Sequence, residues 1–302
     1  MDTVIPPAPR LDTVIPAAPD LRTRRVLGFD FVDDDSIDAT VERLLGPQPD
    51  DGRKPIVLTP NVDTVVQMGE LARFGIADRL RNCRYILPDG QPIVWASRLL
   101  GQPLGARLAG SDLVGPLWRR LVAEDRRAMV VVSCAEVAEP LQADMPSLGV
   151  YVPPMFDVAD TAAFGEVVRA AAEELDRTRP EFVFLGISFP KQQVLAVALV
   201  DHLRRQGQPL PLFLCIGGAL ELHVGRHRRA PRWVQRAGGE WFFRFLLEPR
   251  RLFRRYFMRD LRFLPIMRLE LRAARELGLV RPLRLRLVGP GWLWMLIPLL
   301  SF

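Results

Sequence analysis

One carboxylate of this chain follows a predicted strand directly, at a position where an acid can act on a bound ligand. Residues 85–87 form a short apolar run typical of a strand, and Pro88, Asp89 and Gly90 end it. Ligands of open α/β sheets bind beyond the carboxyl ends of the strands, where Asp89 could remove a proton from a substrate hydroxyl. The alternative is structural, because aspartate also opens turns before glycine.

Two more polar side chains follow another predicted strand. Thr59 and Asn61 come directly after the apolar residues 56–58. If this strand lies beside the strand that precedes Asp89, the three side chains form a polar pocket at one edge of the sheet. Asn61 is equally well placed to cap the helix that the apolar pattern predicts after it, and one residue can serve both purposes.

The start of a later predicted helix carries further candidates for ligand binding. Residues 182–185 form an apolar strand, and Lys191 and Gln192 lie at the beginning of the helix that follows. Backbone N–H groups at such a position can bind an anion or a sugar oxygen.

From residue 25 onward, segments with strand and helix patterns alternate. Residues 26–29 are predicted as the first strand, residues 36–45 as the first helix, and Ser111 as the cap of a later helix. Further apolar strands are predicted at 129–132, 149–152, 182–185 and 212–215. Short apolar strands between helices predict a mostly parallel sheet that is covered on both faces, in a Rossmann-like α/β core at 24–237.

Three segments lie outside this predicted core. Residues 1–23 contain a proline-rich tandem repeat and are predicted as a mobile, extended tail. Residues 238–286 are predicted as an Arg-rich helical appendage that is basic on one face and apolar on the other. Residues 287–302 form an apolar tail, too short to span a bilayer, which needs roughly 20 apolar residues.

Charge is distributed unevenly along the chain. The formal net charge is +6, but residues 226–286 hold 18 arginines and five acids. Such a region suits a surface that meets phosphates, whether of a nucleotide, of anionic lipid headgroups or of nucleic acid. A mean hydropathy of +0.08 fits a globular protein and argues against disorder or a polytopic membrane protein.

The cysteines indicate the compartment. Cys83, Cys134 and Cys215 are widely spaced and lie in or beside apolar runs, so buried free thiols in a reducing cytoplasm are expected. No N-terminal stretch has the pattern of a signal peptide.

An aspartate run at residues 33–35 is the one DxD-like candidate for a metal site. It lies just ahead of the first predicted helix, where acids favour the helix N-terminus, and we prefer that interpretation. Neither a metal nor a cofactor is expected.

Several short motifs occur in an order that resembles the WecG/TagA/CpsF family of bacterial glycosyltransferases. The resemblance extends from about residue 26 to about residue 262. The motifs are Pro88-Asp89-Gly90, Gly110-Ser111-Asp112-Leu113, Pro190-Lys191-Gln192, Arg229-Ala230-Pro231, Glu240-Trp241 with Arg244, and Glu248-Pro249-Arg250-Arg251-Leu252 with Arg254.

The resemblance implies a function and a role for each matching residue. The expected reaction is an inverting, metal-independent transfer of a hexose or N-acetylhexosamine-type sugar from a UDP-sugar. The expected acceptor is a polyprenyl-diphosphate-linked sugar at the cytoplasmic face of the membrane, in envelope or extracellular polysaccharide synthesis. By this resemblance Asp89 is the general base and Asn61 orients it. Thr59 lines the sugar pocket, and Lys191 and Gln192 bind substrate. The arginines that close over the diphosphate are Arg244, Arg251 and Arg254.

The chain departs from the family pattern at several positions. Gln193 stands where the family has glutamate after Pro-Lys-Gln, Gly239 replaces leucine before Glu-Trp, and Gln91-Pro92 follows Asp89-Gly90. These changes leave the donor sugar and the acceptor length open, and a homo-oligomer is neither required nor excluded.

Two alternative functions remain at this point. The first is a nicotinamide-dependent oxidoreductase, although the glycine fingerprint of a dinucleotide site is missing. The second is a non-enzymatic module that binds membranes or nucleic acid. It explains the arginines but gives no purpose to the polar residues at the strand ends. Nucleic acid is therefore not expected as a partner, whereas an anionic membrane surface is expected as one.

Overall fold

The structure, a computed structural model, describes residues 21–49, 51–226 and 259–280. Single positions between the last two ranges are also described: Pro231, Val234, Phe243, Leu246, Pro249 and Phe253. Residues 1–20 of the tail predicted at 1–23, the whole tail at 287–302 and about half of the appendage predicted at 238–286 lie outside the described residues. The remaining tail residues are ordered, because Leu21 is buried and Thr23 begins the first strand.

A six-stranded, all-parallel sheet forms the centre of the described fold. Its strands are β3 (Lys54–Leu58), β4 (Cys83–Ile86), β5 (Ala128–Val132), β6 (Gly149–Tyr151), β7 (Phe182–Gly186) and β8 (Leu212–Cys215). They lie in the order β4-β3-β8-β7-β5-β6. This arrangement confirms the predicted α/β class with a Rossmann-like, parallel core.

Helices cover both faces of the sheet, which explains why its strands are apolar throughout. Ile56 of β3 joins one buried cluster, and its neighbour Val57 joins the other, because successive side chains of a strand point to opposite faces. The helices are α1 (Ile37–Leu45), α2 (Val62–Val66), α3 (Met68–Arg73), α4 (Ala77–Arg81), α5 (Gln91–Leu99), α6 (Gly110–Ala123), α7 (Ala135–Asp144), α8 (Thr161–Thr178), α9 (Lys191–Arg205) and α10 (Ala219–His223). No helix within the described ranges is both long enough and apolar enough to cross a bilayer.

The first predicted strand is wrong in part, because residues 26–29 form the bend of a hairpin. Strands β1 (Thr23–Val26) and β2 (Phe29–Val32) pair antiparallel, outside the main sheet. Leu27 and Gly28 connect them with φ angles of 52° and 76°. Positive φ at both central residues is the geometry of the two-residue turn that matches the twist of a hairpin.

The aspartate run precedes α1, as predicted, but none of the three caps the helix. Ser36 does so, by accepting a hydrogen bond from the backbone N–H of Ala39. Asp34 is buried and bonded to Arg43 at 2.8 Å and to the hydroxyl of Thr40 at 3.1 Å.

Asp33 has the same kind of structural partners. It pairs with Arg24 at 3.0 Å and accepts the backbone N–H of Gly105 at 2.9 Å. These contacts tie the hairpin and α1 to the loop before α6.

The described end of the predicted appendage packs on the core. A 3₁₀ turn (Asp260–Arg262) leads into a helix (Phe263–Glu276) whose Phe263 and Met267 are buried in the same cluster as Ile56. Beyond this helix, the chain comes so close to Gly101 that a Cβ there would lie 2.4 Å from the carbonyl oxygen of Leu279.

We predict opposite effects on stability for two glycine-to-alanine changes. Gly101 has a φ of +71° and its Cβ would meet the Leu279 backbone, so Gly101→Ala should lower the free energy of unfolding by about 1–3 kcal/mol. Gly165 lies inside α8 with open space around it, so Gly165→Ala should raise that free energy by roughly 0.5–1 kcal/mol. Urea unfolding measures both values; equal effects of the two changes would contradict the close packing at Gly101.

Candidate active site

Asp89 and Thr59 lie at the carboxyl ends of two neighbouring parallel strands. Leu58 of β3 is in register with Ile86 of β4, so the residues that follow them leave the sheet at the same edge. The backbone N–H of Asp89 donates to the carbonyl oxygen of Pro60 at 3.2 Å, which joins the two loops directly. The two strands are thus neighbours, which was the condition for a shared pocket that the sequence left open.

Asn61 combines a capping role with a place beside Asp89. Its Oδ1 accepts hydrogen bonds from the backbone N–H and the hydroxyl of Thr64, at 3.1 and 3.3 Å, and caps α2. Its Cβ lies 4.0 Å from the position that a Cβ of Gly90 would take. Because Oδ1 is committed to Thr64, the NH₂ end of the amide is the end turned away from α2.

The polar edge continues from β3 to β8. The hydroxyl of Thr59 donates to the carbonyl oxygen of Cys215, the last residue of β8, at 3.2 Å. Two residues further along, the backbone N–H of Gly217 donates to Oε1 of Gln192 at 2.8 Å. Thr59, Asn61, Asp89 and Gln192 are thus brought to one edge of the sheet, and we call these four residues the carboxyl-edge cluster.

Gln192 is buried, and both its side chain and its backbone N–H are hydrogen-bonded within the protein. The residue is 7% exposed, and its own backbone N–H is bonded to the carbonyl oxygen of Ser188 at 3.3 Å. Cys215 Sγ lies behind it, 3.7 Å from the Gln192 carbonyl oxygen, and burial raises the pKa of this thiol, which keeps it protonated. The amide side chain of Gln192 therefore faces Gly217, and the anion or sugar site at the start of α9 stays a prediction.

Lys191 lies apart from the carboxyl-edge cluster. Its ammonium group sits over the ring of Phe156, 4.6 Å from the ring centre, and 3.8 Å from the sulfur of the exposed Met155. Both partners belong to the segment that follows β6. The adjacent residues 191 and 192 therefore point to different parts of the molecule.

Gly110 is a site residue whose role the sequence did not reveal. Helix α6 begins at Gly110, one residue before the predicted cap Ser111, which is therefore not the cap. A Cβ at Gly110 would lie 3.5 Å from both Cγ2 and Oγ1 of Thr59, an ordinary contact distance, so the start of α6 packs directly against the threonine. Asp112 of the same motif bonds Arg107 at 2.6 Å, which braces the loop before α6.

Polar groups also occur further along the same edge, beyond β7. The hydroxyl of Ser133, directly after β5, donates to Glu221 Oε1 in α10 at 3.1 Å. Gly186 ends β7 between them, where a Cβ would lie 2.9 Å from Leu220 Cδ1. Neither Ser133 nor Glu221 stands out in the sequence, because their proximity depends on the order of the strands.

Two cavities that are lined by described residues lie away from this edge. One, of about 530 Å³, is lined by residues such as Glu181 and Leu210, at the amino ends of β7 and β8. The other, of about 610 Å³, lies between α8 and α9 beside Asp201. Ligands of parallel sheets bind at the opposite, carboxyl ends, where the cluster lies.

Arg244, Arg251 and Arg254 lie outside the described residues, so their predicted place over a diphosphate stays a prediction. The first described residue after Arg254 is Arg259. Its Nε lies 2.7 Å from Asp63 Oδ1 in α2, the helix that Asn61 caps.

Comparison with known proteins gives a consistent result. The model of the glycosyl transferase WecG/TagA/CpsF family matches residues 24–276. An N-acetylglucosaminyldiphosphoundecaprenol N-acetyl-beta-D-mannosaminyltransferase of Bacillus spizizenii is 26% identical over 235 residues, 76% of this chain and 86% of the relative. The enzyme of the same name from Bacillus subtilis is 27% identical over 60% of this chain and 69% of its own length. A Staphylococcus aureus enzyme, again of that name, is 24% identical over 57% of this chain and 65% of its own.

The family match decides between the functions that the sequence left open. It covers the whole parallel sheet, the carboxyl-edge cluster and the described end of the appendage. A nicotinamide-dependent oxidoreductase and a non-enzymatic binding module both disagree with it. The chain belongs to the WecG/TagA/CpsF family of glycosyltransferases.

Proposed function

We propose that this glycosyltransferase moves a hexose or N-acetylhexosamine-type sugar from a UDP-sugar to a polyprenyl-diphosphate-linked sugar, with inversion at the anomeric carbon. The observation that carries the proposal is the carboxyl-edge cluster, in which Asp89 is joined through Pro60 to the loop that holds Thr59 and Asn61. The names of the relatives describe transfer of N-acetylmannosamine to a diphosphoundecaprenol-linked sugar. They support the acceptor class; the sugar transferred by this chain needs its own measurement.

The chemistry assigned to Asp89 is general base catalysis. Its carboxylate takes the proton of the acceptor hydroxyl as that oxygen attacks the anomeric carbon from the face opposite the nucleotide. The bond between that carbon and the β-phosphate oxygen breaks, and UDP leaves with the bonding electrons. A single displacement of this kind inverts the configuration.

The other members of the cluster hold the substrates in line. The committed Oδ1 of Asn61 directs its NH₂ group away from α2, and this donor suits a carboxylate or a sugar oxygen nearby. Thr59 is held by its bond to Cys215, the last residue of β8, and Gln192 by its bond to Gly217, two residues further along. Side chains that are already held need little reordering when the substrates bind, and this favours the aligned geometry. We keep Lys191 in the proposal as a substrate contact from the side of β6.

We assign the charge of the leaving diphosphate to arginines rather than to a metal. Arg244, Arg251 and Arg254 match the family motifs, and guanidinium groups bond phosphate oxygens in pairs and stay protonated. All three aspartates at 33–35 lie beside arginines instead: Asp33 pairs with Arg24, Asp34 with Arg43 and the exposed Asp35 with Arg22.

An acceptor carried by a lipid requires the enzyme to reach the membrane surface, and we place it on the cytoplasmic face. The exposed side of the helix Phe263–Glu276 supports this placement. It presents Arg268 and Arg272, with Leu269 between them at 49% exposure. Arginine and leucine together suit the interface of an anionic bilayer.

A donor screen tests the proposal. The purified protein, a panel of UDP-sugars and a short-chain polyprenyl-diphosphate N-acetylglucosamine acceptor should give one preferred transfer product with inverted configuration, detected by chromatography and NMR. The rate should be unchanged in excess EDTA, because we assign no step to a metal. If no UDP-sugar is transferred, the proposed function fails. If EDTA stops the reaction and Mg²⁺ or Mn²⁺ restores it, the assignment to arginines fails.

Asp89→Asn should lower kcat by about 10²–10⁴-fold, the usual contribution of proton transfer, while UDP binding and the unfolding temperature stay near those of the wild type. Asp38→Asn, a change of the same type at an exposed position of α1, is the matched control and should transfer at the normal rate. Near-normal turnover of the Asp89 variant would exclude this residue as the base.

Two groups of arginines should separate transfer from membrane binding. Replacing Arg244, Arg251 or Arg254 with alanine should remove about 1.5–3 kcal/mol of transition-state stabilisation, which lowers the transfer rate roughly 10–150-fold. Arg268→Ala with Arg272→Ala should instead reduce co-sedimentation with vesicles that contain anionic lipid. Radiolabelled transfer and co-sedimentation are measured on every variant. Equal losses in both assays for both groups would contradict the division of roles.

A further inference from the structure

A polar network ties the chain before the C-terminal helix to α2. Arg259 Nε lies 2.7 Å from Asp63 Oδ1, a close ion pair whose N–H is not well aligned with the oxygen. Arg259 Nη1 also donates to Gln67 Oε1 at 3.4 Å, and Gln67 Nε2 donates to Asp63 Oδ1 at 2.7 Å. The three side chains therefore contact one another in a closed triangle that includes both ends of α2.

Burial makes this contact more than a surface ion pair. The side chain of Asp63 is 12% exposed and that of Arg259 is 41% exposed, while Asp260, next to Arg259, is 3% exposed. Phe263 follows one turn later and is buried in the core. Because a half-buried pair is screened less by water and salt than an exposed pair, the contact fixes where residue 259 meets the core.

The sequence places this contact between the two halves of the proposed active site. Asp63 comes two residues after Asn61, a member of the carboxyl-edge cluster, and α2 begins between them. Arg254 comes five residues before Arg259. Five residues of fully extended chain span at most about 17 Å. Holding Arg259 on α2 therefore limits how far Arg254 can lie from the helix that carries Asn61.

We propose that Asp63, Gln67 and Arg259 form a latch that positions the arginine-bearing segment relative to the carboxyl-edge cluster. The inference rests on the proposed function, which gives Arg254 its diphosphate partner. The three are positioning residues, because they act by holding residue 259 in place. Helix α2 is a suitable support, since Asn61 caps its first turn and Gln67 ends it.

The test makes the same substitution in two backgrounds, the wild-type protein and the Arg254→Ala variant, and compares the loss of transfer rate. Arg259→Ala should lower kcat for transfer by at least about 10-fold, because a small misplacement of a charge-stabilising group is costly. In an Arg254→Ala background the same change should add less than about 2-fold, because the group that the latch positions is already missing. Arg259→Lys keeps the charge and should restore part of the rate. Asp63→Asn should behave like Arg259→Ala.

Arg73→Ala is the matched control. Arg73 pairs with Glu70 at 3.2 Å on the neighbouring helix α3, where both side chains are exposed, and its loss should leave kcat unchanged in both backgrounds. An Arg259→Ala loss that is equally large with and without Arg254 would overturn the latch, because it would indicate general destabilisation. Undiminished transfer by the Arg259→Ala variant would overturn it as well.

A second measurement does not depend on activity. Hydrogen exchange across residues 263–276 should be faster in Arg259→Ala than in the wild type, while exchange in α8 and α9 stays the same. Unchanged exchange would show that the contact holds nothing in place. If the wild type transfers no sugar at all, the proposed function fails, and the exchange result still decides whether the latch exists.

Discussion

The parallel pairing of β3 with strands on both sides is the constraint on which the candidate site depends. Leu58 is in register with Ile86 of β4 and with Cys215 of β8, so the segments that follow these three strands leave the sheet at the same level. Parallel strands share the direction of their carboxyl ends, and residues far apart in sequence therefore meet there. A shift of one residue in either pairing would turn Thr59 or Asp89 toward the other face of the sheet.

The polar residues at this edge are held by the fold itself. Asn61 caps α2, the Thr59 hydroxyl donates to the carbonyl oxygen that ends β8, and Gln192 accepts a hydrogen bond from the N–H of Gly217. Each of these bonds satisfies a backbone group that the end of a strand or helix would otherwise leave unpaired. The same contacts hold the side chains in place, so the stability of this edge and the order of the candidate site depend on the same hydrogen bonds.

Local patterns were sufficient to predict the strands of the parallel sheet and several of the helices, because apolar runs of a few residues and the Pro-Asp-Gly stop are read directly from the chain. The role of the residues at the carboxyl edge stays a prediction. The patterns failed where the answer depended on contacts distant in sequence. Gly110 belongs to a motif that is visible in the sequence, but its contact with Thr59 is visible only in the fold, and the direction of Lys191 follows from the ring of Phe156. The Leu27-Gly28 turn lacks the usual Asn-Gly signature of a hairpin, so residues 26–29 resembled a single strand.

The β1–β2 hairpin also affects how the protein behaves in a crowded cell. Strand β4 is at the edge of the sheet, and the outer row of peptide groups of such a strand is a template on which another chain can add. The hairpin packs beside β4, and its Phe29 and Phe31 are buried in the cluster that includes Ile86. The hairpin therefore occupies space beside the strand that leads to Asp89 and leaves less room there for a strand from another molecule.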